Sequence, residues 1–376
     1  MFTESERLEL FPVARRLRFF SHAAVTSFPA CVADAMNAHI RESTEAPQEF
    51  LQTLKDIKAM RALCARFIGA DADEIALLGP TSLGLSLFAN GIPWEAGDEV
   101  LCYAGDYPAN VYPWLELQRR GVVLKMLEPE HAGEITPELV EAALTPRTRL
   151  VALASCHFFT GYRIDVDRIG RLLHGRGILF SVDAIQTLGA FPMNVEHVDF
   201  LSADAHKWML GPCAIGIVYV KRKHHDFCRP TLLGAWNVHS PNFIAQPEIR
   251  FVNGAQRYEP GVLNIIGCYG MNAALEMFMR HGRDAIAARI LELKAHLVAA
   301  LRAKEYEITG PTEGPNASGI TTFRHPKKSA TELSGTLEKA GVSCSLRHDP
   351  QGKDYMRFSP HFYNTEAELN YALDLL

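Results

Sequence analysis

A lysine, a histidine, an amide and an aspartate fall in a fixed order within SVDAIQTLGAFPMNVEHVDFLSADAHKWMLGPCAIGIVYV, residues 181–220. Asp183 closes an apolar run, Gln186 follows it closely, and after a second apolar run come His206 and Lys207. An aspartate at the carboxyl end of a strand stands where ligands bind in open α/β sheets. A carboxylate, an amide and a lysine at the ends of neighbouring strands are the parts needed to hold pyridoxal phosphate. The lysine amine condenses with the cofactor's aldehyde. The aspartate pairs with the pyridine nitrogen and keeps it protonated, so the ring serves as an electron sink. Taken singly, each residue has an ordinary explanation: most lysines are solvated, and an Asp after a strand often caps a helix. It is their joint order that points to a site.

A second group lies in GPTSLGLSLFANGI, where Thr81 and Ser82 occupy a strand-to-helix turn. Free amides at a helix start, the helix dipole behind them and two hydroxyls make a site for an anion such as a phosphate. Simple N-capping is the alternative there.

The 181–220 stretch resembles the class V aminotransferase family of fold-type I pyridoxal-phosphate enzymes. That family includes cysteine desulfurases, selenocysteine lyases, kynureninases and isopenicillin-N epimerases. Its segment reads as an apolar strand, D-x-x-Q, then H-K, matched here by Asp183, Gln186, His206 and Lys207. The likeness runs from FFSHAAVT to RFSPHFYNTEAELNYAL. It implies that His206 is a further phosphate contact, that Tyr107 in GDYPANVYPW stacks on the cofactor ring, and that Arg357 grips the substrate's α-carboxylate. A planar guanidinium suits that last task because it binds a carboxylate bidentately. Arg347 fits a family arginine near the substrate entrance. Asn264, in RYEPGVLN, stands in for a family threonine that reaches the partner subunit's phosphate, since the matching residue is Val262. The resemblance thus implies a homodimer.

Several departures bear on the reaction. The stretch RHDPQGKDYMRF lacks the cysteine that desulfurases carry after the position of Arg347, and Cys344 precedes that arginine on an apparent strand. This disfavours a persulfide-forming desulfurase. SCHFFTG lacks the asparagine that touches the cofactor's ring oxygen, leaving His157 or Thr160 as substitutes. Asp204 stands where a phosphate-binding serine is common, with no reason evident in the sequence. The leading expectation is an aminotransferase acting at Cα of an amino acid. A β-eliminating C–S lyase or an epimerase is the alternative, and a non-catalytic binding protein is a weaker one.

These residues need a scaffold, and the patterning supplies one. Seven apolar runs read as strands: 74–78, 99–103, 121–127, 149–154, 178–182, 199–203 and 214–220, mostly separated by helical patterns. Alternation of that kind implies an α/β fold with a mostly parallel sheet of seven strands, covered by helices on both faces. Beyond residue 265 come long helical patterns and then short strands, GITTFRH, GVSCSLRH and YMRFSPHFY. The expectation is a large domain over 21–265, with 1–20 and 266–376 forming a smaller α+β domain. KRKHHDF reads as a charged, solvated helix carrying His224 and His225.

Composition agrees with a metabolic protein of about two domains. The chain has 376 residues, 48% hydrophobic and 22% charged. Its 38 basic and 43 acidic side chains leave a net charge of −5, with no basic block to attract nucleic acid. Eight scattered cysteines form no C-x-x-C pair and no metal-type spacing with histidine, so no metal is expected. No signal-peptide or membrane-spanning run is present, and the expected location is the cytoplasm.

Overall fold

The computed structural model describes residues 2–48 and 50–376. Its large sheet has strands β1 (Ile75–Leu77), β2 (Glu99–Cys102), β3 (Val123–Met126), β4 (Thr148–Ala154), β5 (Leu179–Asp183), β6 (Phe200–Asp204) and β7 (Gly216–Val220). Their spatial order is β1-β7-β6-β5-β4-β2-β3. Only β7 runs against its neighbours, being antiparallel to both β1 and β6, and every other pair is parallel. All seven expected strands form.

The period of two places alternate residues on opposite faces, and both faces are buried. In β4, Val151 and Leu153 join one core while Leu150 and Ala152 join the other. In β7 the same division separates Ile217 and Tyr219 from Val218 and Val220. Because β1 runs parallel to β6, the helix Thr81–Gly91 begins at the same edge of the sheet where β5 and β6 end.

A four-stranded antiparallel sheet forms the smaller layer, from β8 (Glu307–Thr309), β9 (Thr321–Arg324), β10 (Ser345–His348) and β11 (Asp354–Phe358), in the order β10-β11-β9-β8. Its own core includes Phe20, Leu297, Phe323, Met356, Phe358 and Leu369. The N-terminal segment bridges the two parts: Arg7 bonds Glu368 of the C-terminal helix at 3.0 Å, while Phe11 stacks on Tyr363 at 4.0 Å within the large-sheet core. The helix Ile265–His281, placed by the sequence reading with the smaller domain, buries Met271, Leu275 and Phe278 in the core of the large sheet instead. The following helix, Arg283–Ala303, joins both cores, Ile286 and Ile290 in one and Leu293 and Leu297 in the other.

The segment KRKHHDF departs from its expected solvated helix. It forms a short 3-10 turn, Arg222–His224, and both histidines are buried. His224 Nε2 bonds Asp199 Oδ1 at 2.6 Å, and His225 Nε2 donates to the Val220 carbonyl at 3.0 Å. A local run of charge concealed long-range partners that make burial possible.

Candidate active site

Nine of the ten residues singled out in the sequence line one cavity of about 590 Å³: Thr81, Ser82, Tyr107, Asp183, Gln186, His206, Lys207, Arg347 and Arg357. Ala23–Val25, Pro80 and Phe158 complete much of its wall. The cavity opens at the carboxyl ends of β5 and β6, where Asp183 is the last residue of its strand. Asn264 lies outside it. Its Oδ1 accepts from the Gly267 amide at 3.1 Å and caps the helix Ile265–His281, and its Nδ2 donates to the Ala214 carbonyl at 3.3 Å.

Asp183 is buried, and its Oδ1 accepts the Ile185 N–H at 3.0 Å. Burial raises its pKa, against the opposing pull of that hydrogen bond and the Lys207 charge. Lys207 is buried too, and burial lowers its amine pKa to about 8. The Asp183 charge resists that shift, while Arg357 and Arg347 reinforce it. The Lys207 Nζ lies 5.3 Å from the Tyr107 ring centroid. Phe158 meets that ring edge-on at 5.5 Å, so Tyr107 is held over the amine while remaining half-exposed.

At the other end, the Thr81 Oγ1 accepts the Asp204 N–H at 2.9 Å, which leaves its own proton to donate elsewhere. Pro80 offers no side-chain cap to the helix Thr81–Gly91, so first-turn amides remain open. His206 Nδ1–H donates to Asp204 Oδ1 at 2.6 Å, which leaves Nε2 free. A Cβ on Gly79 would lie 2.6 Å from Asp204 Oδ2 and from the Ile215 amide nitrogen, so a glycine is required for this close approach.

These features fit pyridoxal phosphate. A hydroxyl, open helix amides and an imidazole nitrogen suit the phosphate. The buried carboxylate suits a protonated ring nitrogen, and the amine, with no hydrogen-bond partner among the described residues, suits the aldehyde.

The residues expected to replace the missing asparagine are committed elsewhere. His157 accepts from Thr160 at Nδ1 (2.9 Å) and donates from Nε2 to the Gly105 carbonyl (2.9 Å), so neither residue has capacity to replace the missing asparagine. Burial lowers His157 to about 4, keeping it neutral. Gln186 lines the cavity, but its amide also ties the wall together, accepting from Trp208 Nε1 at 2.8 Å and donating to the Ala23 carbonyl at 3.1 Å. The sequence reading missed Asp106, beside Tyr107. It is buried, accepts the Ala154 N–H at 3.0 Å and Asn110 Nδ2 at 3.1 Å, and fastens the Tyr107 turn to the end of β4. Burial pushes its carboxyl up to about 7. Its only sequence signal was an acid in an otherwise turn-like run.

The aminotransferase class-V family model matches residues 18–371. The chain belongs to that family, and so to the fold-type I enzymes that work with pyridoxal phosphate. A probable cysteine desulfurase of Methanothermobacter thermautotrophicus is 27% identical over 391 residues, covering 98% of this chain and 96% of that one. An uncharacterized aminotransferase of Bacillus subtilis, YcbU, is 24% identical, covering 97% and 95%. Among solved structures, a cysteine desulfurase of Thermococcus onnurineus superposes with a TM-score of 0.92 at 23% identity, covering 100% of this chain and 97% of that one. No helix among the described residues is long and apolar enough to cross a membrane.

Proposed function

We propose that this protein is an aminotransferase that moves the α-amino group between an amino acid and a keto acid. The observation that carries the reading is one cavity uniting Lys207, Asp183 and Arg357. Bound pyridoxal phosphate supplies an electron sink that acidifies the Cα proton of an attached amino acid. The chain's own groups do the rest. Arg357, buried on β11 with Nε and Nη2 unpartnered, holds the α-carboxylate. Its Nη1 donates to the Phe158 carbonyl at 2.6 Å, which fixes the fork. Lys207 Nζ, buried in the cavity with no hydrogen-bond partner among the described residues, is the base that removes and returns the Cα proton. Asp183 keeps a proton on the ring nitrogen, and Tyr107 covers the ring face. Thr81, Ser82 and His206 hold the phosphate.

A C–S lyase is the second reading, favoured by the desulfurase relatives. A cysteine relay does not serve it here. The β10–β11 turn carries no thiol, and Cys156 and Cys344 are pushed up to about 11 each, chiefly by burial. Any sulfur would have to leave on a small-molecule thiol or as sulfide.

Val262, in the segment 259–264, is exposed, and we place a second copy of the chain against it, giving a homodimer. Light scattering tests this. The reaction is tested by giving the holoenzyme a panel of amino acids with and without keto acids. Amino-group exchange is the expected result. Pyruvate with ammonia or sulfide, without exchange, would replace the first reading by the second.

A further inference from the structure

The β10–β11 hairpin carries both cavity arginines, and its register fixes how they stand. Ser345 is paired with Arg357, and Arg347 with Tyr355. Directly opposed residues share a face of an antiparallel pair, and so do residues two apart on one strand. Arg347 and Arg357 are therefore diagonal neighbours on one face, roughly 7–8 Å apart at their backbones.

Neither has an acid among the described residues. Arg357 bonds only the Phe158 carbonyl among the described residues, and its Nε and Nη2 are buried without a partner. Arg347 is half-buried, and its Nη1 donates to the Leu346 carbonyl at 3.0 Å. Among the described residues the one carboxylate lining the cavity is Asp183, which the ring nitrogen occupies in the reading above. The phosphate end is separate, built from Thr81, Ser82 and His206. Two unneutralised guanidiniums held side by side repel each other and have lost part of their hydration, a cost relieved only when anions arrive. An α-carboxylate neutralises one. Arg347 is left over.

We infer that the substrate carries a second acid group, which Arg347 binds while Arg357 holds the α-carboxylate. Short dicarboxylic amino acids, and the dicarboxylic keto acids made from them, have the two carboxylates a few carbons apart that this diagonal spacing asks for. The inference rests on the α-carboxylate role given to Arg357 above. It adds that specificity resides at Arg347.

The test uses ligands that cannot react. Calorimetric titration of the holoenzyme with succinate and glutarate is compared with butyrate and pentanoate, which lack the second carboxylate. The expected result is at least roughly tenfold tighter binding of a dicarboxylate, the scale of a charge-assisted pair. Arg347→Gln should remove that preference, leave monocarboxylate affinity in place and keep the cofactor's visible absorbance. Equal affinity for mono- and dicarboxylates in the natural protein would overturn the inference without any variant, and so would a preference that survives in Arg347→Gln. The two proposals fail separately: a dicarboxylate preference without amino-group exchange would leave the clamp standing and remove transamination. Exchange confined to neutral amino acids, with no dicarboxylate preference, would do the reverse.

Discussion

His206 donates its Nδ1–H to Asp204 Oδ1 at 2.6 Å, and Asp204 is fully enclosed, its Oδ2 without a partner. Here the carboxylate is turned to the imidazole and fixes its ring through Nδ1, so that the Nε2 side is left for the phosphate. Asp204→Ala should therefore weaken pyridoxal phosphate binding about tenfold, the loss of one charge-assisted contact. Affinity for pyridoxal, which lacks the phosphate, should not change. Asp204→Asn should restore part of the loss, because an amide oxygen still accepts from Nδ1–H. Equal loss for both cofactors would mean that Asp204 supports the strand end and not the phosphate.

Lys207 sets a pH window for loading the cofactor. Only the neutral amine attacks an aldehyde, and in the cofactor-free protein the Lys207 pKa is lowered from 10.5 to about 8. The fraction in the neutral form thus grows as pH rises through 8. Cofactor capture, followed by stopped-flow absorbance, should accelerate over that window and level off above it. Arg347→Gln removes a repelling cation, so its midpoint should move upward. A rate still climbing steeply beyond pH 9 in the unaltered protein would show that the amine is not depressed.

Replacing Arg357 should separate substrate binding from cofactor binding. Arg357→Ala should lower kcat/KM by roughly ten- to a hundredfold, with KM rising and kcat falling through lost orientation. Arg357→Lys should recover little, since a point charge does not reproduce the fork. The discriminating measurement uses an amine without a carboxylate. If the Ala variant still disfavours that amine as strongly as the natural protein does, the carboxylate binds elsewhere.

The sequence made the strands and their chemical ends legible because both are local: a short apolar run, then a polar residue. Asp183 and Lys207 could be placed at strand ends on that ground, while the phosphate role of His206 came from the resemblance. Spatial order was not legible, since β7 slots between β1 and β6 through contacts far apart in the chain. The same reason hid the burial of His224 on Asp199 and the fastening of Asp106 to Ala154. Asp204 stayed unexplained until its hydrogen bond to His206 could be seen. The resemblance assigned Asn264 to a phosphate, yet its helix cap uses the side chain within its own subunit.

A buried ion pair ties the phosphate end to the proposed partner-facing segment. Arg61 meets Glu259 through Nη1–Oε1 at 2.6 Å and Nη2–Oε2 at 3.0 Å, and both side chains are buried. Arg61 also donates to the Ile75 carbonyl at 2.5 Å, and Glu259 accepts the Leu77 N–H at 2.7 Å. The pair therefore bonds both ends of β1, which leads into Pro80 and Thr81. Removing one partner leaves the other charge buried, at a cost of about 3–5 kcal/mol. Arg61→Ala should lower the unfolding free energy obtained from urea titration by that amount and release the cofactor more readily, although no atom of Arg61 lines the cavity. Replacing both partners by Met and Leu should return much of the stability, because no charge is stranded. It should not return all of it, because the Leu77 N–H then lacks its acceptor, worth about 1–3 kcal/mol. If the double variant is no more stable than Arg61→Ala, the pair's contribution is its backbone contacts and not its charge balance.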